Sequence, residues 1–194
     1  MSLQIKYINT TWFLHKSLWL FMIFMGWSNI QAQILHQDDV ILQPSELLES
    51  SGTNDINSAY INQEGILNDI NLIQDRAEGA ILDNVARVLQ VGRLNLANII
   101  QQGEGNQLIL MQQGSNNLYE LVSDGTNIQV AVVQDGERNE ILQNITNSSD
   151  IRINLEQRGN DNSIIQELDG VSGRAYSIRQ IGNGLSVIIR QSGG

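Results

Sequence analysis

Cysteine is absent from the sequence, and proline occurs once, at Pro44. No disulfide framework or thiol chemistry is therefore open to the chain, and its stability has to come from packing and hydrogen bonds. Aromatic residues are scarce and unevenly placed. Every Trp (Trp12, Trp19, Trp27) and every Phe (Phe13, Phe21, Phe24) lies within the first 32 residues, which leaves only Tyr60, Tyr119 and Tyr176 beyond them. A globular core usually rests on several large aromatics. The chain beyond residue 32 points instead to a thin core of Ile, Leu, Val and Ala beside Asn and Gln. Lysine is confined to Lys6 and Lys16, and histidine to His15 and His36. Past residue 32, nine basic residues face 21 acidic ones, a net charge of −12 against −10 for the whole chain. Binding nucleic acid needs a basic surface to neutralise phosphates, so no nucleic-acid partner is expected.

Catalytic constellations are missing too. A Ser-His-Asp set has only His36 to draw on beyond residue 32, and there is no Cys nucleophile. Asp38 and Asp39 are adjacent, so in an extended strand they face opposite sides and make a poor acid–base pair. Gly103-Glu104-Gly105 and Gly182-Asn183-Gly184 lack the remaining glycine of a phosphate-binding fingerprint. The Gly-Gly-x-Gly-x-Asp repeat of calcium-binding solenoids does not occur. The chain is read as not an enzyme, with no catalytic residue, cofactor, metal site or small-molecule substrate expected.

Residues 1–32 have the order of a secretory signal peptide: Lys16, an apolar run from Ser17 to Trp27, then Ser28-Asn29-Ile30-Gln31-Ala32 as the cleavage region. The run falls well short of the ~20 residues that span a bilayer. A secreted protein beginning near Gln33 is expected. Residues 33–56 carry no repeat and read as a flexible acidic arm, with a short helical turn possible after Pro44.

From Asn57 to Gly194 one phrase recurs. In its plainest form, Asn84–Gly114, it is Asn, then Gln six residues later, then Gly two after that, with every second residue between Asn and Gln aliphatic. Alternation with a period of two means strand, and the set Asn, aliphatic, aliphatic, Gln shares one face. The first unit gives Asn57, Gln63, Gly65, Asn68 and Gln74, followed by about five inserted residues at a corner. The second gives Asn84, Gln90, Gly92, Asn95, Gln101 and Gly103. The third gives Asn106, Gln112, Gly114, Asn117 and Gly125, with Ser123 in place of Gln. The fourth gives Ile128 in place of Asn, then Gln134, Gly136 and Asn139. There the order swaps, with Gln143 at an aliphatic position and Ile145 at the Gln position. The fifth gives Gln157, Gly159, Asn162 and Gly170, with the same swap at Gln166 and Leu168. The sixth gives Gln180, Gly182, Gln191 and Gly193, with Arg174 and Leu185 at the Asn positions. Gln90, Gln112, Gln134, Gln157 and Gln180 are spaced 22, 22, 23 and 23 apart.

A fixed spacing of this length means stacked coils. The expected fold is all-β, a two-sheet parallel β-solenoid of about six coils with two strands each. Aliphatics fill a narrow interior, glycines turn the corners, and equivalent amides stack into ladders. An amide suits such a ladder because it both donates and accepts; a carboxylate only accepts and would repel its neighbour. In the outward rows, Glu156 should lie beside Arg179 and Glu167 beside Arg190. An ordinary β-sandwich would explain the alternation but not the constant spacing.

These residues resemble the curlin repeats of bacterial curli, the secreted amyloid fibres of biofilms. The family motif is Ser or Asn, five residues, Gln, one residue, Gly, two residues, Asn, five residues, Gln. Asn57–Gln74, Asn84–Gln101 and the stretch from Asn106 match it. The resemblance implies export through a dedicated outer-membrane pore with accessory factors, self-assembly outside the cell, and nucleation of a major subunit by a minor one. Residues 33–51 lack the Gly-rich stretch common in major subunits, and the last repeat is basic and irregular. Both features resemble the minor, nucleating subunit. The alternatives are the major subunit, a monomeric solenoid adhesin with one flat binding face, and a polysaccharide-cleaving β-helix. The last two would need an exposed aromatic column or a carboxylate cluster.

Overall fold

The computed structural model describes residues 2–8, 57–76 and 78–193. The cleavage region and the segment 33–56 lie outside the described residues. Among the described residues all regular structure is strand. The strands are β1 (Ser2–Ile8), β2 (Ser58–Ile66), β3 (Asp69–Arg76), β4 (Val85–Arg93), β5 (Leu96–Glu104), β6 (Gln107–Ser115), β7 (Leu118–Glu137), β8 (Glu140–Asn160), β9 (Ser163–Asp169), β10 (Ser172–Ile181) and β11 (Ser186–Ser192).

From β2 onward these strands form a parallel β-solenoid of about six coils. The first face stacks β2, β4, β6, the second half of β7, the second half of β8, and β10. The second face stacks β3, β5, the first half of β7, the first half of β8, β9 and β11. Strands β7 and β8 run unbroken through a corner and so serve both faces. Parallel pairing of strands adjacent in a stack requires a crossover, and here the opposite face of each coil provides it. The backbone of β1 lies antiparallel on the outer edge of β3.

Alternation decides what fills the interior. In β4 and β5 every second residue is buried, and Ala86, Val88, Ala97 and Ile99 meet across the coil. The same positions supply Leu108, Leu110, Tyr119 and Leu121 in the third coil, and Ile153, Leu155 and Ile164 in the fifth, where Leu168 fills the interior from the Gln position. Each fully buried Leu or Ile contributes about 1.5–3 kcal/mol. A small residue makes room for the largest one in its row: Ala97 sits against Tyr119.

The corners account for the spacing. Pairing of Gln63 with Gln90 fixes the first coil at 27 residues, and the extra length lies in the corner after β3. There Arg76 bridges Asp83 at 3.1 Å, and the Ile81 N–H donates to Glu104. The change from 22 to 23 also has a place. Register breaks between Ser123 and Gly125, where the corner after the second face gains one residue from the fourth coil on. Ser148 and Val171 turn inward at this longer corner, and the Ser148 hydroxyl accepts from the Val171 N–H.

Candidate functional site

The candidate site is the set of inward amides, and it is built corner by corner. After each strand of the first face, glycine takes a positive φ, as at Gly114 (109°), and the residue two positions later is left-handed. That second residue is Leu67, Leu94, Asn116, Arg138 or Asp161, with φ between 53° and 60°. A left-handed conformation costs such residues about 1–2 kcal/mol. Hydrogen bonding offsets it, since the Leu94 N–H donates to the Ile66 carbonyl and the Asn116 N–H to the Arg93 carbonyl, continuing the ladder around the bend. The next residue is the inward Asn.

Asn68, Asn95, Asn117, Asn139 and Asn162 form one column. Each later member donates both its backbone N–H and its Nδ2 to the Oδ1 of the one before. The Nδ2 also donates to the glycine carbonyl of the following coil, at 3.2 Å from Asn95 to Gly114. Asn57, Asn84 and Asn106 form the opposite column in a plainer way. Only the backbone N–H of the later residue reaches Oδ1, and Ile128 closes the column by donating its N–H to Asn106. The asparagines are therefore corner caps as much as stacked amides.

Glutamine makes the continuous ladder. Gln63 Nε2 donates to Gln90 Oε1 at 2.7 Å, Gln90 to Gln112 at 2.7 Å, Gln112 to Gln134 at 2.9 Å, Gln134 to Gln157 at 3.0 Å and Gln157 to Gln180 at 2.9 Å. The same nitrogens also donate across the coil to a backbone carbonyl: Gln90 to Asp69, Gln112 to Leu96, Gln134 to Leu118, Gln157 to Glu140, Gln180 to Ser163. A carbonyl accepts and never donates, so it dictates which end of each amide is nitrogen. Every rung thus points the same way, toward the sixth coil.

The second glutamine ladder is short. Gln74 donates to Gln101 at 2.8 Å, after which Ser123 replaces Gln and its buried hydroxyl has no partner. Gln191, expected among the ladder residues, has no amide beneath it. The swap in the fifth coil places Leu168 opposite Gln191, and Ile189 opposite Gln166.

The swapped pair has a cause that the repeat pattern alone does not disclose. Gln143 and Gln166 are in register, and Gln143 Nε2 donates to Gln166 Oε1 at 2.6 Å. Gln143 Oε1 in turn accepts from the Tyr119 hydroxyl at 2.8 Å, and Gln166 Nε2 donates to the Tyr176 hydroxyl. Tyr119 is fully buried, and burial raises its phenol well above the usual range. A buried hydroxyl without a partner is costly, so an amide in the next coil stands where an aliphatic would. The signal was present in the sequence: Tyr119 lies one coil before Gln143 in the neighbouring inward row.

The turn glycines divide into two kinds. Gly65, Gly92, Gly103, Gly114, Gly136, Gly159 and Gly182 combine their position after Gln or its equivalent with a positive φ, and Gly170 takes φ 65° at the longer corner. Gly125 and Gly193 do not take the positive φ expected of turn glycines. They are glycine because a Cβ at Gly125 would lie 2.1 Å from the Ser148 carbonyl oxygen, and one at Gly193 would lie 1.8 Å from that of Gly170.

Outward charges pair along the stack. Arg179 lies 2.9 Å from Glu156, and Arg190 lies 2.8 Å from Glu167. Arg138 reaches Asp161 at 2.7 Å, and that contact holds the Asp161 carboxyl below its ordinary range. Being exposed, such pairs fix register more than they add stability.

No protein-family model, no curated protein and no solved structure matches the chain.

Proposed function

We propose that the chain is a structural subunit of secreted extracellular fibres of the curli kind, a minor subunit that nucleates fibre growth in a biofilm matrix. The β-solenoid fold is compatible with a structural, amyloid-like role. The observation that carries the reading is the contrast between middle and ends. Interior residues of the second to fifth coils are fully buried or nearly so, whereas Ala59 and Ile61 at one end and Tyr176 and Ile178 at the other remain partly open. Folded proteins normally protect exposed strand edges with charge or proline. Among the described residues strand β2 pairs on one side only, and so do β10 and β11. An end that is apolar inside, ladder-bearing and unpaired is suited to receive another coil.

The test is seeding. Soluble major curli subunit mixed with a few per cent of this protein should lose its lag phase, read by Congo red binding and fibre diffraction near the ~4.8 Å strand repeat. No acceleration, with fibres from this chain alone, would leave the major-subunit reading. No fibre under either condition would leave a monomeric solenoid adhesin.

A further inference from the structure

The two ends of the solenoid differ in charge and in the sense of their hydrogen bonds. The sixth coil, from Ser172, carries Arg174, Arg179 and Arg190 and no carboxylate side chain. The first coil and its corner carry Glu64, Asp69, Asp75, Glu78 and Asp83 against the single Arg76. Opposite charges on two surfaces favour their encounter and disfavour like with like.

The amides agree with the charges. Among the described residues of and around the first coil, Gln63 Oε1 receives no hydrogen bond and the buried Gln74 Oε1 has no partner. Both are acceptors. At the sixth coil, Gln180 Nε2 donates across the core to Ser163, which leaves its second N–H pointing out of the stack. The sixth coil also restores the order aliphatic then Gln that the fourth and fifth coils reverse. The register, extended by one coil, therefore sets Gln180 against Gln63 and Gln191 against Gln74. It sets Tyr176 against Ala59, the large-against-small arrangement already seen for Tyr119 and Ala97.

We infer that the junction between copies of this chain is polar, the sixth coil of one copy seating on the first coil of the next. The inference rests on the fibre-forming reading above and adds which surface meets which. Gln180 and Gln191 donate to Gln63 and Gln74, so the amide that has no rung inside its own chain gains one in its neighbour's. Arg179 comes over Asn62, two residues from Glu64, and Arg190 over Ile73, two residues from Asp75. Such diagonal positions are ~7–8 Å apart, within reach of an arginine. Contact of two different surfaces that does not close on itself propagates as an open filament. A junction of two sixth coils would face arginine with arginine and donor with donor, and two first coils would face carboxylates and acceptors. In the full chain β1 occupies the β3 edge of the first coil, while no strand among the described residues pairs with the outer edge of β2.

The absence of cysteine makes a direct test possible. Tyr60 and Ser177 are outward and exposed, and the register places them opposite each other across the inferred junction. Paired parallel strands hold Cα atoms at about 4.8 Å, within disulfide reach. Tyr60→Cys and Ser177→Cys chains are mixed, grown into fibres and mildly oxidised, using both the full chain and a chain beginning at Gln33. The expected product is a disulfide joining one variant to the other, with at least tenfold less of either homotypic pair. Predominant links between two Tyr60→Cys chains or between two Ser177→Cys chains, or fibres without links, would overturn the junction and leave the fibre reading standing. Failure of the unmodified chain to form fibres would count against the fibre reading itself.

Discussion

Tyr119 shows how one side chain reshapes the repeat around it. Its ring takes an aliphatic place in the third coil, and its hydroxyl then needs an acceptor in a fully buried space. Gln143 meets that need, and for two coils the polar position stands two residues earlier along the strand. Tyr119→Phe should therefore destabilise the fold by about 1–2 kcal/mol, because Gln143 Oε1 loses its donor. Adding Gln143→Leu removes one unsatisfied atom but strands Gln166 Oε1. Gln143→Leu with Gln166→Leu in the Tyr119→Phe background should recover most of the loss. Chemical denaturation of the single, double and triple variants measures the coupling. Additive losses would mean that the hydroxyl-to-amide chain contributes nothing as a unit.

At the scale of the element, strand and corner constrain each other through glycine. A Cβ at Gly114 would lie 2.0 Å from the Gly136 carbonyl oxygen, and the φ of 109° is one that side chains resist independently. Gly114→Ala should cost at least about 3 kcal/mol, the sum of strain and a displaced neighbouring coil. Gly79→Ala meets open space, so it carries only the cost of its positive φ. Comparing the two by thermal unfolding separates coil-to-coil contact from backbone conformation, and equal losses would refute the contact.

The strands, the six coils, the inserted corner and the paired Glu156 and Arg179 were all legible in the sequence. Each depends on spacing alone, and spacing survives without knowledge of the neighbouring coil. Leu94 and Arg138 gave no sign of their left-handed backbone, because neither residue favours it and only the adjacent ladder imposes it. Gln191 looked like a rung for the converse reason: its position in the phrase is regular, but its partner Leu168 had already been displaced by the swap. The sense of the amide rungs was equally hidden, since it is set by carbonyls on the opposite face.

For the whole molecule, the third to sixth coils share one polar chain that starts at buried Tyr119 and ends at half-buried Tyr176. Burial pushes the Tyr176 phenol from its usual 10.0 up to about 12. A phenol whose folded value is raised holds its proton more tightly in the folded state. Its contribution is complete below pH 10 and is lost as pH rises toward 12. Alkaline titration should therefore loosen the molecule from the sixth coil first. Tyrosinate absorbance should rise together with a partial loss of the β signal in circular dichroism, and Tyr176→Phe should remove that coupled step. A single cooperative loss, unchanged by the substitution, would show that the end coil has no independent opening.

Because carbonyls across the core orient the amides of Gln90, Gln112, Gln134, Gln157 and Gln180, the glutamine stack is a vector: reversing it would require these five to turn at once against their backbone partners. A filament assembled from such units as proposed would inherit that arrow. Snapping it anywhere yields one fragment tip of each type, so mechanical shear multiplies both kinds of growth site in equal number, and two intact filaments can anneal only nose to heel.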